Sequence, residues 1–156
     1  MIVVDSNIIA ARNLTSSLTS EAKRVEEKDP VWIVPVLWRH EFQNILATAI
    51  KAKQIKPEQA LDIWEKVSTV LIDNECEPSV SKVIGLVAKY EITAYDGQFI
   101  AIAQEMGIPC VTEDEELQEK FPGIAISMIE FVNPESTPGS RYVIRGAGAK
   151  YRKKKT

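Results

Sequence analysis

Short apolar runs alternate with longer segments of helical period along this chain. The runs at residues 2–4, 31–34, 109–111 and 124–131 predict buried strands. Between them, apolar residues recur at three- and four-residue intervals, which predicts helices over 8–13, 20–28, 35–53, 57–69, 80–90, 93–106 and 113–121. Residues 70–72 fit either a short strand or a helix end. Strands separated by helices favour an α/β fold, with a parallel sheet covered on both faces.

The end of the chain differs from the rest in composition and in charge. After Asn133 and Pro134 the sequence turns to Pro, Gly, Ser and Lys, so we expect a domain over 1–133 and a flexible tail over 134–156. Residues 141–156 carry a formal charge of +7 with no acid, and the first 140 residues carry −10, with 12 bases against 22 acids. A protein that binds nucleic acid through a wholly basic surface is therefore disfavoured.

Several other protein classes are excluded by the same composition. No apolar run approaches the roughly 18 residues that a membrane span needs, and the two cysteines are too few for a disulfide scaffold. The single histidine argues against zinc sites built on imidazole and against a serine or cysteine triad. We expect a cytoplasmic protein without a membrane partner, whose chemistry depends on carboxylates.

Four acids occupy positions that call for a special explanation. Asp5 and Asp114 follow the predicted strands at 2–4 and 109–111, and the ligand crevice of a parallel sheet lies beyond such strand ends. Glu41 and Asp96 border or share the apolar stripes of their helices. A buried carboxylate is costly without a partner, and one divalent cation would compensate several at once. Hard oxygen ligands favour Mg²⁺ or Mn²⁺, which assist phosphodiester cleavage by lowering the pKa of bound water.

Each of these acids also has a purely structural explanation. Asp96 follows Thr93 by three residues, as in a variant capping box, and Asp114 and Asp5 are suited to cap the helices that follow them. Glu41 can reach water from the rim of its helix. From their positions alone, the structural and the catalytic explanations remain equally open.

Four sequence motifs resemble those of the PIN domain family, specifically its VapC toxin branch. They are IVVDSNII at 2–9, EFQNIL at 41–46, YDGQFIAIA at 95–103 and VTEDEEL at 111–117. The resemblance covers residues 1–131 with the motifs in order. It implies a three-layer α/β/α sandwich around a mainly parallel sheet and a divalent-metal endoribonuclease site.

The resemblance also implies roles for particular residues and partners. The catalytic metal ligands would be Asp5, Glu41, Asp96 and Asp114, holding Mg²⁺ or Mn²⁺. The supporting residues would be Ser6, Asn7, Asn44 and Thr112. An RNA substrate, an antitoxin protein and a homodimer are expected by the same argument. Glu113, Gly97 and Gln98 depart from the usual pattern of the family, and the basic tail is longer than a minimal toxin needs.

Other interpretations of the chain stay open beside this one. The basic tail can bind RNA phosphates or be a solvated, flexible chain end. The candidate phosphate contacts are Arg141, Arg145, Lys150, Arg152 and Lys153. A PIN fold that binds RNA or a protein without cutting would carry the same motifs. A phosphatase of the haloacid dehalogenase type also begins with a strand and an Asp, but Asn7 stands where that family has its second acid.

Overall fold

A computed structural model of the chain describes residues 1–136. Its strands are β1 (Ile2–Val4), β2 (Trp32–Ile33), β3 (Cys110–Val111) and β4 (Ala125–Ile126). Its α-helices are α1 (Ser6–Asn13), α2 (Thr19–Lys28), α3 (Trp38–Lys51), α4 (Pro57–Leu71), α5 (Val80–Tyr90), α6 (Ala94–Met106), α7 (Glu115–Lys120) and α8 (Met128–Val132). Short 3₁₀ turns occur at Ile72–Asn74 and Pro134–Ser136.

The four strands form one parallel sheet in the order β2-β1-β3-β4. Val3 of β1 is in register with Ile33 on one side and with Cys110 on the other. All three residues of β1 are apolar and essentially inaccessible to solvent, which suits an interior strand of a sheet covered on both faces. The carboxyl ends of all four strands therefore lie at the same edge of the sheet.

The side chains of β1 alternate between two hydrophobic cores. Ile2 and Val4 belong to the core formed with α1, α2, α3, α4 and α8. Val3 belongs to the opposite core, formed with α5, α6 and α7. The sheet is thus the middle of three layers, and the predicted α/β/α sandwich is confirmed.

The predicted strand over 124–131 is wrong beyond its first residues. Only Ala125 and Ile126 pair with β3, and the chain then turns into α8. Ser127 caps this helix by accepting a hydrogen bond from the backbone N–H of Glu130 at 3.1 Å. Met128 and Phe131, three residues apart, are both buried by the helix, so the apolar run has helical period in its second half.

Other boundaries shift by a few residues at the ends of helices. The helix predicted from Ser20 begins at Thr19, and Ser20 is not its cap. The helix predicted from residue 35 begins at Trp38. The ambiguous residues 70–72 finish α4 and enter a 3₁₀ turn. Gly107 ends α6 as predicted, because its φ of +66° is accessible to glycine without strain.

Residues 137–156 lie outside the described residues, so the domain boundary predicted at 133 stays a prediction. Within 1–136, no helix is both long and apolar enough to cross a membrane.

Candidate active site

Asp5 and Thr112 meet at the carboxyl edge of the sheet, where β1 and β3 end side by side. The backbone N–H of Asp5 donates to the carbonyl of Val111 at 3.0 Å, which extends the pairing of the two strands by one step. The Thr112 hydroxyl donates to Asp5 Oδ2 at 2.7 Å. The predicted meeting of the two strand ends is therefore confirmed.

Thr112 is fully buried and is held from several sides. Its hydroxyl oxygen accepts from the backbone N–H of Asp114 at 3.1 Å. Its carbonyl accepts from the side-chain amide of Gln118 at 2.8 Å. The hydroxyl thus bridges two of the predicted site acids. The sequence does not predict the contribution of Gln118, because nothing in it marks a side chain that returns from α7 to a backbone carbonyl.

Glu41 is joined to the same edge by the hydroxyl of Ser6. Helix α3 packs against α1, and Ser6 lies at the start of α1 with only 4% of its surface exposed. The Ser6 hydroxyl donates to Glu41 Oε2 at 2.6 Å. Since Ser6 follows Asp5 directly, this bond places Glu41 beside the acid at the end of β1.

Asp96 lies in the first turn of α6, close to the helix N-terminus. The oxygen of the Thr93 hydroxyl accepts from the backbone N–H of Asp96 at 3.1 Å, so Thr93 is the N-cap. The hydroxyl also donates to Asp96 Oδ2 at 2.5 Å. The helix dipole favours a negative charge at this position.

The electrostatics show that these acids share one environment. Burial raises the pKa of Asp5, hydrogen bonds from Thr112 and from the Ser6 backbone oppose that rise, and the charges of Asp96 and Asp114 add to it. Burial likewise raises the pKa of Glu41, the Ser6 hydroxyl opposes the rise, and the charges of Asp5 and Asp96 add to it. The influences of Asp96 and Asp114 therefore converge on Asp5, and Asp5 in turn acts on Glu41.

The capping explanations hold for some of these acids and not for others. Asp114 caps α7, because its Oδ1 accepts from the backbone N–H of Leu117 at 3.1 Å. Asp5 occupies the N-cap position of α1 but makes no side-chain capping bond there. Helix capping thus accounts for the placement of Asp114 and leaves that of Asp5 unexplained.

The donor chemistry of the site fits a hard divalent cation. The ion pairs formed within residues 1–136 leave out Asp5, Glu41, Asp96 and Asp114, so no Lys or Arg of that range pairs with these acids. Carboxylate oxygens with neighbouring hydroxyls are the ligands that Mg²⁺ and Mn²⁺ prefer. In the described part of the chain, however, no three His, Cys, Asp or Glu side chains are gathered closely enough to hold an ion as they stand. A bound cation would need some of these carboxylates closer together than they stand.

Of the remaining predicted site residues, Asn7 contacts Asp5 and Asn44 makes no hydrogen bond to Glu41 within residues 1–136. The Asn7 side-chain amide donates to Asp5 Oδ2 at 3.0 Å, which places it in the site. Asn44 is exposed on α3, and within residues 1–136 its side chain makes no hydrogen bond to Glu41. Glu113, a departure from the family pattern, accepts from the backbone N–H of Met128 at 2.8 Å and so joins the loop after β3 to α8.

The predicted phosphate contacts of the tail lie outside the described residues. They are Arg141, Arg145, Lys150, Arg152 and Lys153.

Comparisons with known proteins agree with the fold. Ribonuclease VapC3 from Pyrobaculum aerophilum is 24% identical over 132 residues, covering 79% of this chain and 96% of that protein. The crystal structure of PAE2754 from the same organism superimposes with a TM-score of 0.68 at 19% identity, covering 85% of this chain and 94% of the other, and it supports the fold. The model of the PIN domain matches residues 2–121, which include all four motifs. This chain is a member of the PIN domain family.

Proposed function

We propose that this protein is a divalent-metal-dependent endoribonuclease that hydrolyses RNA phosphodiester bonds. The observation that carries the proposal is the carboxyl edge of the sheet, where the Thr112 hydroxyl joins Asp5 to the backbone of Asp114 and burial raises the pKa of Asp5. Burying a carboxylate is costly, and acids with perturbed pKa values cluster at functional sites. The name of the relative, Ribonuclease VapC3, supports RNA as the substrate.

Under this proposal the four acids hold Mg²⁺ or Mn²⁺ and the neighbouring hydroxyls orient them. When bound, the cation supplies a lowered pKa for water and neutralises the charge that develops on the phosphodiester. The Thr112 hydroxyl fixes one oxygen of Asp5, and the Ser6 hydroxyl fixes one oxygen of Glu41. Asn7 adds a second donor to Asp5. The role of Asn44 beside Glu41 stays a prediction.

The wider biology of the protein belongs to the same proposal. Its similarity to a VapC protein supports a toxin role with an antitoxin partner. A homodimer and a cytoplasmic location remain predictions that follow from the family resemblance. The acidic body makes RNA binding dependent on cations at the site and on the basic residues beyond position 140.

A second function, binding of RNA or a protein without cleavage, is favoured by one specific observation. Asp114 and the pair Thr93–Asp96 serve as helix caps, and no three potential ligands in residues 1–136 are close enough together to hold an ion. A PIN fold in which Asp96 and Asp114 have only this structural role would bind its partner without holding a metal ion. The haloacid dehalogenase interpretation is set aside, because the chain belongs to the PIN family.

RNA cleavage by the purified protein distinguishes these functions. We expect cleavage with Mg²⁺ or Mn²⁺, none with EDTA, and a loss of about 10²-fold or more in Asp5→Asn and Asp96→Asn. Asp62→Asn is the matched control, because Asp62 is exposed on α4 and outside the site. Cleavage that ignores both EDTA and the two site substitutions would contradict the metal mechanism. RNA binding without cleavage at any metal concentration would favour the second function.

A further inference from the structure

Thr93 makes two contacts with Asp96 through one hydroxyl group. The hydroxyl oxygen accepts from the backbone N–H of Asp96, and its proton goes to Asp96 Oδ2 at 2.5 Å. A hydroxyl has a single proton, so that proton is committed to the carboxylate while a lone pair serves the helix. The same group therefore caps α6 and orients the side chain of the acid that follows it.

This arrangement differs from an ordinary capping box. In that motif the side chain of the third helical residue accepts a hydrogen bond from the backbone N–H of the N-cap residue. Its acceptor oxygen is then not available to a ligand. In residues 1–136, Asp96 makes no such bond to the Thr93 backbone, and its Oδ1 has neither a hydrogen bond nor an ion pair. One carboxylate oxygen is fixed by Thr93 and the other is left available.

The Asp96 carboxylate, which carries this available oxygen, interacts electrostatically with the other acids of the site. Helix α6 packs against β1, the strand that precedes Asp5, and the charge of Asp96 adds to the rise that burial causes in the pKa of Asp5 and of Glu41. A helix cap alone does not require the Thr93 proton to point at this carboxylate. Partners that donate to metal-binding carboxylates fix their orientation and thereby raise metal affinity.

We propose that Thr93 is a positioning residue of the site, whose hydroxyl holds the Asp96 carboxylate in the orientation that meets a divalent cation shared with Asp5. This inference rests on the proposed function, because it assumes that the acids bind a cation. It assigns to Thr93 a role beyond the helix cap.

Replacing Thr93 by Ser, Gly and Ala separates orientation from capping. Glycine is nearly as good an N-cap as threonine, whereas alanine is poor, and only serine keeps a proton to donate. We would measure Mn²⁺ affinity by isothermal titration calorimetry and melting temperature in EDTA. Mn²⁺ affinity should stay within about twofold in Thr93→Ser and fall about 10–100-fold in both Thr93→Gly and Thr93→Ala. The melting temperature should fall clearly only in Thr93→Ala.

Ser127 provides a matched control, because within residues 1–136 its hydroxyl caps α8 and makes no hydrogen bond to a site acid. Ser127→Ala should lower the melting temperature and leave Mn²⁺ affinity unchanged. If Thr93→Gly binds Mn²⁺ like the wild type while Thr93→Ala does not, affinity follows capping and the inference is wrong.

Asp96→Asn separates this inference from the proposed function. Mn²⁺ binding that is lost in Asp96→Asn but kept in Thr93→Gly would overturn the role of Thr93 alone. Failure of the wild type to bind Mn²⁺ would overturn both the inference and the metal mechanism. Loss of binding in both variants, with rescue by Thr93→Ser, would support both.

Discussion

The hydroxyl of Thr112 donates to Asp5 Oδ2 at 2.7 Å across the boundary between two neighbouring parallel strands. The bond joins residues that are 107 positions apart in the chain. It links the acid at the end of β1 to the loop that carries Asp114, so the geometry of two site acids depends on one buried hydroxyl.

Thr112→Val should therefore damage both activity and stability. Valine has the same shape but removes the donor that Thr112 gives to Asp5 and leaves the partly buried N–H of Asp114 without its acceptor. We expect about a 10–100-fold loss of cleavage rate and a loss of about 1–3 kcal/mol in the free energy of unfolding, measured by urea denaturation. Thr112→Ser keeps the hydroxyl and should retain most of both. A valine variant with unchanged cleavage would show that the bond has no part in the site.

Asp5→Asn should stabilise the metal-free protein while it abolishes cleavage. The pKa of Asp5 is raised in the folded state by burial and by neighbouring acids, so ionisation costs stability at neutral pH. Removing the charge should raise the melting temperature in EDTA by about 2–4 °C, the shift that about 1 kcal/mol produces in a chain of this size.

The sign of this effect can be checked against pH. The penalty is fully present above the raised folded pKa and disappears as the pH falls below the unfolded value, so the difference between Asp5→Asn and the wild type should shrink in acid. Asp62→Asn should show no comparable gain at neutral pH. A wild type that is more stable than Asp5→Asn in EDTA would contradict this account of the site.

Glu75 should make the opposite contribution to the pH dependence of stability. Its carboxylate accepts from Arg39 Nε at 2.5 Å and Nη2 at 2.7 Å, and from the indole N–H of Trp38 at 2.8 Å. The Arg39 guanidinium holds the pKa of Glu75 below its ordinary value. The resulting stability is present above the unfolded pKa and is lost as the pH falls through the folded one.

Glu75→Gln should accordingly lower the melting temperature by a few degrees at neutral pH, and the difference from the wild type should vanish in strong acid. Glu77→Gln is a suitable control, because Glu77 is exposed in the same segment. A difference between Glu75→Gln and the wild type that does not change with pH would show that the carboxylate charge is not what stabilises the fold.

Deleting residues 141–156 tests the predicted role of the basic tail. If the tail binds RNA phosphates, its removal should weaken RNA binding and reduce the slope of log affinity against log salt by about 0.7 for each phosphate that the tail neutralises. The measurement is a salt series by fluorescence anisotropy in Ca²⁺ or with the Asp5→Asn variant, so that RNA is not cut. An unchanged slope would remove the tail from the substrate-binding surface.

Periodicity was sufficient to predict most of the fold, because β1 and most of the helices have hydrophobic patterns that fit one structure only. The run at 124–131 fits two structures, since Ile124 to Ile126 suit a strand while Met128 and Phe131 also suit a helix face. The choice is made by Ser127 and by Glu113, whose carboxylate accepts from the backbone N–H of Met128. That second contact is tertiary, so no local pattern reveals it.

The candidate site was predictable at the level of strand ends and helix faces. Asp5 and Asp114 follow strands, and parallel pairing brings such positions to one edge. The donors to these acids were harder to predict, because the side-chain amide of Gln118 reaches the backbone of Thr112 through the geometry of α7 rather than through any motif. The bond from the Thr93 hydroxyl to the Asp96 carboxylate was also hard to predict, because helix capping alone explains a threonine at this position.

Because the strands are parallel, the sheet has one edge where all strands end and one where all strands begin, and the two edges differ in how well they tolerate modification. Since every strand ends at the edge that carries Asp5 and Thr112, every strand begins at the opposite one. The turn at Gly107, which leads into β3, and the turn at Gly123, which leads into β4, both lie there. Labels, inserted epitopes and surface immobilisation belong at that opposite edge, where they leave the edge with the carboxylates unobstructed.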